Sequence, residues 1–329
     1  MQIVAGDIGG TSTRLAWFDL EGPSLILRGE ARFASAEFSS LTGIIDRFVG
    51  EQRITAARAC FGIAGPVREG RVVAPNLPWT VSVSELARIV GLTSVHVIND
   101  LEANAYGISL LAKEDFYVLN KGKSDPKGNI AVISAGTGLG EVIAFRNGND
   151  YRPLACEAGH ADFAARNELE MELLLSLRAE FGRVSYERII SGPGLLNIYR
   201  FLRDVRRVPE DSAVAQNMQN GDPSAVISRA ALDGKCSLCC QTLDIFVSLY
   251  GAEAGNTALR YLATGGLYVG GGIAPKIIQL LKGPAFMDSF AAKGRLRSLM
   301  ESIPVKVILN DKAALLGAAR CAFLRATGT

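Results

Sequence analysis

Short apolar runs alternate with helical patterns along the first third of the chain. Residues 3–5, 59–63 and 94–98 are apolar runs of strand length, and such runs are typical of buried strands. Helical patterns predict helices at 84–89 and 102–111, the first of them with serines and a glutamate at its start. Strands that alternate with helices in this way indicate an α/β fold.

A pattern of strand, glycine–threonine turn and strand occurs twice. The first copy comprises residues 4–7, 8–11 and 14–17, and the second comprises residues 130–134, 135–140 and 141–145. Because neither glycine turn is followed by a helix, neither matches a Walker loop or a dinucleotide fingerprint. Two successive copies of one α/β pattern suggest a duplicated fold.

The rest of the chain continues the alternation of elements. We predict a helix at 195–202, a polar surface excursion at 204–223, an amphipathic helix at 237–250, a strand at 262–268, a helix at 276–281, a strand at 305–309 and a helix at 312–324. The strand at 262–268 is followed by a triple-glycine turn.

The length of 329 residues favours two domains that share a cleft. The net charge is +2 with acids and bases interspersed, so no basic run points to a nucleic acid or a membrane surface as partner. No apolar stretch is long enough to cross a bilayer, and the first residues lack the pattern of a signal peptide. We therefore expect a cytoplasmic protein that acts on a small molecule.

Six cysteines are scattered along the chain, and we interpret them as reduced thiols: Cys60, Cys156, Cys236, Cys239, Cys240 and Cys321. Cys236 and Cys239 have the C-x-x-C spacing of some zinc and redox sites. A four-thiolate zinc site needs a second such pair, which the sequence lacks. Packing of these cysteines in the helix at 237–250 is therefore favoured.

Both glycine–threonine turns suit an anionic ligand. Glycines let backbone N–H groups approach an anion closely, and threonine adds a hydroxyl donor. Two such turns that face each other would hold a polyphosphate from both sides. Asp7 ends a buried strand beside the first turn and is well placed to hold Mg²⁺ through water, although a hairpin turn capped by Asp explains the same residue.

Asn99 and Asp100 follow the apolar run at 94–98, at the strand end where open α/β sheets bind ligands. A carboxylate there can accept the proton of a substrate hydroxyl that attacks phosphorus, and an amide both donates to and accepts from hydroxyls. An Asn-Asp helix cap is equally consistent with the local sequence. The residues alone leave both interpretations open.

Glu157 and His160 are close together in a predicted loop. Glu-x-x-His can ligate a metal, but such a site needs further ligands nearby, and paired donors and acceptors also suit a polyhydroxylated ligand. His96 lies within the apolar run at 94–98, so we interpret it as structural. Glu187, taken by itself, predicts solvated surface.

These motifs, taken in order, resemble those of bacterial-type glucokinases, which have the fold shared by hexokinase, actin and Hsp70. The resemblance covers almost the whole chain. It is carried by Gly6-Asp7-Ile8-Gly9-Gly10-Thr11, Gly62-Ile63-Ala64-Gly65-Pro66-Val67, Asn76-Leu77-Pro78-Trp79, Ile98-Asn99-Asp100, Ala135-Gly136-Thr137-Gly138-Leu139-Gly140, Glu157-Ala158-Gly159-His160, Glu187 with Ser191-Gly192-Pro193-Gly194, and Gly270-Gly271-Gly272-Ile273. Several ordered motifs are more specific than any one of them.

The resemblance implies a two-domain actin-like ATPase fold, related to ribonuclease H, with duplicated α/β domains around a cleft that holds ATP and sugar. The smaller domain would comprise residues 1–110 and 311–329, with the last helix packed on it, and the larger would comprise 111–310. The implied reaction is transfer of the γ-phosphate of MgATP to the 6-hydroxyl of glucose, the first step of glycolysis. The implied assembly is a homodimer.

The resemblance also implies a role for each candidate residue. Asp100 matches the catalytic base. The residues that match the family's sugar-hydroxyl ligands are Asn99, Glu157, His160 and Glu187. The phosphate and adenosine contacts match Asp7, Gly9, Gly10, Thr11, Gly136, Thr137, Gly138, Gly270, Gly271 and Gly272, with Asp7 holding Mg²⁺ through water.

Glu102 departs from the family pattern, and Cys156 brings a thiol next to one of the family's motifs. Glu102 adds an acid near Asp100. If Glu102 faces the site it would raise the pKa of Asp100 by like-charge repulsion, and if it faces solvent it is a first-turn helix acid, which we favour. Cys156 precedes Glu157, so we expect a thiol close to the sugar, where its modification would inactivate the enzyme.

Two alternatives share the implied fold. One is another hexose kinase, including the repressor/ORF/kinase branch. That branch carries a cysteine-rich zinc motif after its Glu-x-Gly-His region, and residues 161–166 contain no cysteine. The other is a non-catalytic sugar-sensing regulator, which would add a DNA-binding helix-turn-helix, whereas we expect the kinase core to begin at Met1.

Overall fold

The computed structural model describes residues 1–22, 24–55, 58–65, 67–73, 79–90, 94–148 and 150–327. Pro66 and the residues Asn76, Leu77 and Pro78, which contribute to the resemblance, lie outside the described residues. The strands are β1 Gln2–Ile8, β2 Ser12–Glu21, β3 Ser24–Ala34, β4 Arg58–Ile63, β5 Val67–Arg68, β6 Arg71–Val73, β7 Thr80–Ser82, β8 Ser94–Asn99, β9 Phe116–Asn120, β10 Ile130–Ala135, β11 Leu139–Asn147, β12 Asp150–Leu154, β13 Gly266–Gly270 and β14 Val305–Ile308. The helices are α1 Leu41–Gln52, α2 Val83–Val90, α3 Asp100–Gly107, α4 Glu168–Phe181, α5 Gly192–Asp204, α6 Ser212–Asn220, α7 Pro223–Leu232, α8 Ser237–Arg260, α9 Ile278–Leu281, α10 Pro284–Ala291, α11 Arg297–Ser302 and α12 Ala313–Thr327.

The chain divides into two compact units. The first comprises Met1–Asp115, Ala144–Ala155 and Asn310–Thr329, and the second comprises Phe116–Ile143 and Cys156–Leu309. The segment at 144–155, which contains the end of β11 and all of β12, thus groups with the first unit. The domain boundaries implied by the resemblance stay a prediction.

The two main sheets have the same strand order. One sheet has the order β3-β2-β1-β4-β8, in which β1, β4 and β8 are parallel and β2 is antiparallel to β1. The other has the order β12-β11-β10-β13-β14, with β10, β13 and β14 parallel and β9 added antiparallel beside β14. The first five strands of each order correspond one by one, so the predicted duplication of the α/β pattern is confirmed.

β1 contributes apolar side chains to both faces of its sheet. Ile3 and Ala5 pack in a cluster with residues of α12, whereas Val4 and Ile8 pack in a cluster with residues of α1. A strand that is covered on both faces is apolar throughout, which explains why the sequence predicts it as buried. The last helix, α12, packs against α3 and β1 within the first unit, as the resemblance implies.

α8 is the most deeply buried helix of the second unit. The predicted helix ends at residue 250, but the observed helix continues because its later residues are also buried, down to Ala258. Gly251 and Gly255 lie against the backbone of α10, where an added Cβ would overlap carbonyl groups. Within the described ranges, no helix has both the length and the apolar character that a membrane-spanning helix requires.

The C-x-x-C pair lies at the start of α8. Cys236 and Cys239 are both buried, and the Cys236 Sγ accepts a hydrogen bond from the Cys239 N–H at 3.4 Å. This burial accords with the predicted packing role. In the described part of the chain, no three His, Cys, Asp or Glu side chains form a group that could hold a metal ion.

The predicted excursion at 204–223 contains a helix, α6. The Asp211 carboxylate caps this helix by accepting hydrogen bonds from the N–H groups of Ala213 and Val214, at 2.9 and 3.1 Å. Val214 is buried in the core of the second unit. Most residues of 204–223 are exposed, as predicted, but the sequence did not predict this helix, which is docked by its cap, by Val214 and by the partly buried Met218.

α12 crosses α3 at contacts that leave no room for a side chain. An added Cβ at Gly317 would overlap the Ala103 carbonyl, and one at Gly107 would overlap the Ala313 carbonyl. The two helix backbones therefore touch directly, and small residues are required at the crossing.

Gly317→Ala should lower the free energy of unfolding by roughly 1–3 kcal/mol, because the helices must move apart to admit the methyl group. Gly50→Ala is the matched control. Gly50 is exposed in α1 with open space beside its Cα, and alanine there should stabilise the helix by roughly 0.5–1 kcal/mol. Urea unfolding curves measure both effects, and the same sign for the two variants would contradict the close contact.

Candidate active site

The first glycine–threonine turn closes the hairpin of β1 and β2. The Gly9 N–H donates to the Ser12 carbonyl at 3.0 Å. Ser35 braces the turn, since its Oγ donates to the Gly9 carbonyl at 2.8 Å and its N–H donates to the Thr11 carbonyl at 3.1 Å. Gly10 and Thr11 are therefore presented on a fixed backbone, with Thr11 exposed. The sequence does not predict the role of Ser35, because no local pattern links it to the turn.

Asp7 lies at the end of β1, opposite Arg14 of β2. Burial and repulsion from Asp100 raise the pKa of Asp7 to about 6, and the positive charges of Arg14 and Arg32 oppose this rise. Carboxylates that repel one another favour a cation between them, and Mg²⁺ takes one or two protein carboxylates together with water and substrate phosphates. Asp7 therefore fits a hydrated Mg²⁺.

Arg14 is held in place by Asp311. Its Nη2 donates to the Asp311 Oδ2 at 2.7 Å, and its Nη1 donates to the Asp311 carbonyl at 3.1 Å. The pairing raises the pKa of Arg14 and lowers that of Asp311. The sequence does not predict this pair, because 297 positions separate the two residues.

Asn99 ends β8 and caps α3. Its Oδ1 accepts a hydrogen bond from the Leu101 N–H at 2.8 Å, and its Nδ2 donates to the Gly65 carbonyl at 3.3 Å. The cap interpretation is therefore correct for Asn99. It leaves a ligand role available, because the amide has further donor and acceptor capacity beyond these two bonds.

Glu102 completes the cap. Its Oε2 accepts a hydrogen bond from the Asn99 N–H at 2.9 Å, which makes a capping box. Burial raises the pKa of Glu102, and the bond from Asn99 opposes that rise. Glu102 is thus the expected first-turn helix acid, but it is half-buried in the cap rather than turned fully to solvent. The Asn-x-x-Glu spacing of a capping box was the signal in the sequence.

Asp100 is the first residue of α3 and lies at the carboxyl end of three parallel strands. Asp7 of β1 pairs in register with Gly62 of β4. An added Cβ at Gly62 would lie 2.9 Å from the Ala103 Cβ and 3.7 Å from the Asp100 Cα, so this glycine lets α3 begin directly against β4. The same approach brings the Asp100 carboxylate within electrostatic reach of Asp7.

The second glycine–threonine turn joins β10 to β11. The Gly136 N–H donates to the Gly138 carbonyl at 2.8 Å. The Glu187 Oε2 accepts a hydrogen bond from the Leu139 N–H at 2.9 Å, and an added Cβ at Gly138 would overlap that carboxylate. Thr137 is exposed at the tip of this turn. The turn and Glu187 therefore form one structure.

Glu157 precedes a single turn of 3₁₀ helix in the second unit, and His160 is the last residue of that turn. Gly159 packs on the Leu139 carbonyl with no room for a Cβ. The His160 Nδ1 lies 3.9 Å from the Glu187 Oε1. The interpretation of Glu187 as solvated surface is wrong, because Leu139, 48 positions away, binds its carboxylate. The second unit thus groups a carboxylate and an imidazole beside a glycine turn.

The triple-glycine turn at 270–272 follows β13. Gly271 has a φ of 84°, and an added Cβ there would overlap the Ala135 carbonyl. The Ile273 N–H donates to the same carbonyl at 3.2 Å. Because Ala135 ends β10, the triple-glycine turn lies directly beside the start of the second glycine–threonine turn.

Cys156 and His96 both make contacts that indicate structural roles. The Cys156 Sγ donates to the Glu141 carbonyl at 3.1 Å, and burial raises the pKa of this thiol. A thiol held protonated in this way is a poor nucleophile, which disfavours the inactivation route suggested for it. His96 lies 3.0 Å from the Ser94 Oγ through its Nε2, and burial lowers its pKa, in accord with a structural role.

The capping box predicts how two Glu102 variants differ. Glu102→Ala should lower the free energy of unfolding by about 1 kcal/mol, because the Asn99 N–H loses its acceptor. Glu102→Gln should have a much smaller effect, since a glutamine carbonyl accepts the same bond. Thermal unfolding measures both variants, and equal losses would show that the charge of Glu102 matters rather than the cap.

Comparison with known proteins identifies the family. A family model described as Glucokinase matches residues 4–324. A glucokinase of Trichormus variabilis is 42% identical over 336 residues, which covers 97% of this chain and 98% of that protein. A solved glucokinase from an Antarctic psychrotroph has a TM-score of 0.86 and 33% identity, and the match covers 98% of each chain.

A more distant solved structure has the same fold. It is a ROK family glucokinase from Streptomyces griseus in complex with glucose and AMPPNP, with a TM-score of 0.65 and 24% identity, and the match covers 98% of this chain and 99% of that one. These neighbours confirm the predicted actin-like ATPase fold. The family model and the full-length relatives show that this chain belongs to the glucokinase family.

Proposed function

We propose that Asp100 is the catalytic base in direct, in-line transfer of the γ-phosphoryl group of MgATP to the 6-hydroxyl of glucose. Its carboxylate accepts the proton of that hydroxyl as the oxygen attacks phosphorus. The observation that carries this proposal is the position of Asp100 at the carboxyl end of β8, with Asp7 and the first glycine turn on β1 of the same sheet. Ligands of open α/β sheets bind at this end of the strands.

The glycine turns bind the nucleotide in this proposal. Backbone N–H groups and the exposed hydroxyls of Thr11 and Thr137 donate to phosphate oxygens and stabilise the charge that develops during transfer. The residues that contact ATP are Asp7, Gly9, Gly10, Thr11, Gly136, Thr137, Gly138, Gly270, Gly271 and Gly272. AMPPNP in the Streptomyces griseus structure, which has the same fold, supports ATP as the phosphoryl donor.

Asp7 holds Mg²⁺ through water in this proposal. The support is its partly buried carboxylate, which repulsion from Asp100 and Asp311 makes receptive to a cation. When bound, Mg²⁺ neutralises charge on the β- and γ-phosphates.

Glucose binds to Asn99, Glu157, His160 and Glu187. Carboxylate, amide and imidazole groups together supply the donors and acceptors that a sugar's hydroxyls need. His160 and Glu187 support the assignment by their proximity, with 3.9 Å between Nδ1 and Oε1. The proposal also includes that the protein is a homodimer and acts in the cytoplasm.

Asp100→Asn should lower kcat by roughly 10²–10⁴ while the KM for glucose changes little, because an amide cannot accept the proton. Asp46→Asn is the control, since Asp46 is an exposed aspartate of α1. A coupled assay of ADP release over a panel of hexoses measures both variants. Turnover of Asp100→Asn near that of the wild type would exclude Asp100 as the base.

Glu187→Gln tests the sugar contacts. The glutamine carbonyl still accepts the Leu139 N–H, but the loss of a charged acceptor for a sugar hydroxyl should raise the KM for glucose roughly tenfold. The KM for ATP should stay near the wild-type value. Glu180→Gln, at an exposed position of α4, is the matched control. An unchanged KM for glucose would contradict the assignment of Glu187.

A further inference from the structure

Two glutamates that the proposed mechanism does not use are buried in the second unit. Glu141 of β11 is 1% exposed and Glu253 of α8 is fully buried. A buried carboxylate is unfavourable unless it is paired or protonated. Glu253 is well compensated, since its Oε1 accepts from the Arg260 Nη1 and its Oε2 accepts from the Asn256 Nδ2, both at 2.7 Å.

Glu141 is compensated on one oxygen only. Its Oε2 accepts a hydrogen bond from the Thr257 Oγ1 at 2.7 Å, whereas its buried Oε1 has no donor among the described residues. The carboxyl groups of Glu141 and Glu253, both buried, lie close enough to interact, and two carboxyl groups can form a hydrogen bond only when one of them carries a proton. Burial and the charge of Glu253 raise the pKa of Glu141 to about 7.

Other titratable groups surround the pair on the elements packed against it. They are Arg260 and Tyr250 of α8, Tyr261 after α8, Tyr186 before Glu187, Cys156 before Glu157, and Lys293 after α10. Burial raises the pKa of each of these tyrosines and of Cys156, so they stay protonated near neutral pH. The positive charge of Arg260 acts on both glutamates and opposes the rise in the pKa of Glu141, and Lys293 interacts with Glu253.

Glu141 is connected to the segment that carries Glu157. It follows the second glycine turn on β11, three positions after Gly138. Its carbonyl accepts the hydrogen bond of the Cys156 thiol, and Cys156 directly precedes Glu157. A displacement of Glu141 would therefore be transmitted to Glu157.

Glu253 is connected to the segment that carries Glu187. The hydroxyl of Tyr186, the preceding residue, accepts a hydrogen bond from the Asn256 Nδ2 at 3.2 Å, and the same Nδ2 donates to the Glu253 Oε2 at 2.7 Å. Asn256 also binds the Lys293 Nζ through its Oδ1 at 2.6 Å. The buried polar network thus ends at the residue before each of two proposed sugar ligands.

We propose that Glu141 and Glu253 are positioning residues that share one proton, and that this proton keeps the segments of Glu157 and Glu187 in the arrangement that binds glucose. Loss of the proton leaves two negative charges in a buried site, and their repulsion separates β11 from α8. The inference rests on the sugar-binding roles proposed for Glu157 and Glu187.

The shared proton makes the stability of the fold decrease as the pH rises. The pKa of Glu141 is about 7 in the folded chain, against an ordinary value of 4.5. The folded state therefore keeps a proton that the unfolded state releases between these two values, and the free energy of unfolding declines over that window. Above about pH 7 the stabilising contribution of this pair has been lost, and the pair no longer makes the free energy of unfolding depend on pH.

Glu141→Gln tests the proposal because its amide N–H can donate to Glu253 at every pH. The measured quantity is the ratio of the KM for glucose of the wild type to that of the variant. We expect this ratio to rise roughly threefold or more from about pH 6 to about pH 8.5. The corresponding ratios of kcat and of the KM for ATP should stay constant. The Tm of the wild type should fall relative to that of the variant as the pH rises from about 5 to about 7.

Glu170→Gln is the matched control, since Glu170 is also buried in the second unit but is ion-paired with Arg166. Its effect on the KM for glucose should not depend on pH. If Glu141→Gln does not fold, infrared spectra of an Asp7→Asn variant supply the second measurement, because the pKa of Asp7 is itself raised to about 6 and its carboxyl would add to the band. They should contain a protonated-carboxyl band at about pH 6 that is lost by about pH 8.5.

A pH-independent KM ratio would overturn the positioning role, and a pH-independent Tm difference or a missing infrared band would overturn the shared proton. Failure of the sugar-ligand assignment gives a different result. In that case Glu187→Gln leaves the KM for glucose unchanged at every pH, while the Tm difference between the wild type and Glu141→Gln still varies with pH.

Discussion

Close contacts at glycines determine where the candidate ligand-binding residues of this protein lie. In the second unit, Gly159 packs on the Leu139 carbonyl and Gly271 packs on the Ala135 carbonyl, so two segments touch the same hairpin. In the first unit, Gly62 lets α3 begin directly against β4. A methyl group at Gly159 or Gly271 would separate backbones that touch, and one at Gly62 would collide with the Ala103 methyl group. These close approaches hold the glycine turns and the candidate ligating residues together within each unit.

Buried and partly buried carboxylates are the second recurrent feature, and each is compensated differently. Asp7 faces two arginines and is receptive to a cation, Glu102 accepts a backbone N–H, and Glu253 has an arginine and an amide. Glu141 has one oxygen without a donor among the described residues, and a proton is the remaining compensation. Compensation by a backbone donor or an arginine does not change with pH near neutrality, whereas compensation by a proton does.

Asn99 shows how a structural role and a functional role can coincide. The local sequence offered a helix cap or a ligand as alternatives, and the structure contains the cap. The cap also fixes the first turn of α3, which places Asp100 at the strand end where ligands bind. A residue that caps a helix beside such a site therefore orients the proposed base, and the two interpretations reinforce one another.

The sequence by itself determined the α/β alternation, the duplicated hairpins and the identity of the glycine turns, because these depend on periodicity and on residues close together in the chain. It also contained the capping box of Glu102, which follows from a local spacing. The contacts of Arg14 with Asp311, of Glu187 with Leu139 and of Glu141 with Glu253 follow from tertiary packing alone. Each joins positions distant in the chain, and burial, which decides their charge states, exists only once the chain has folded.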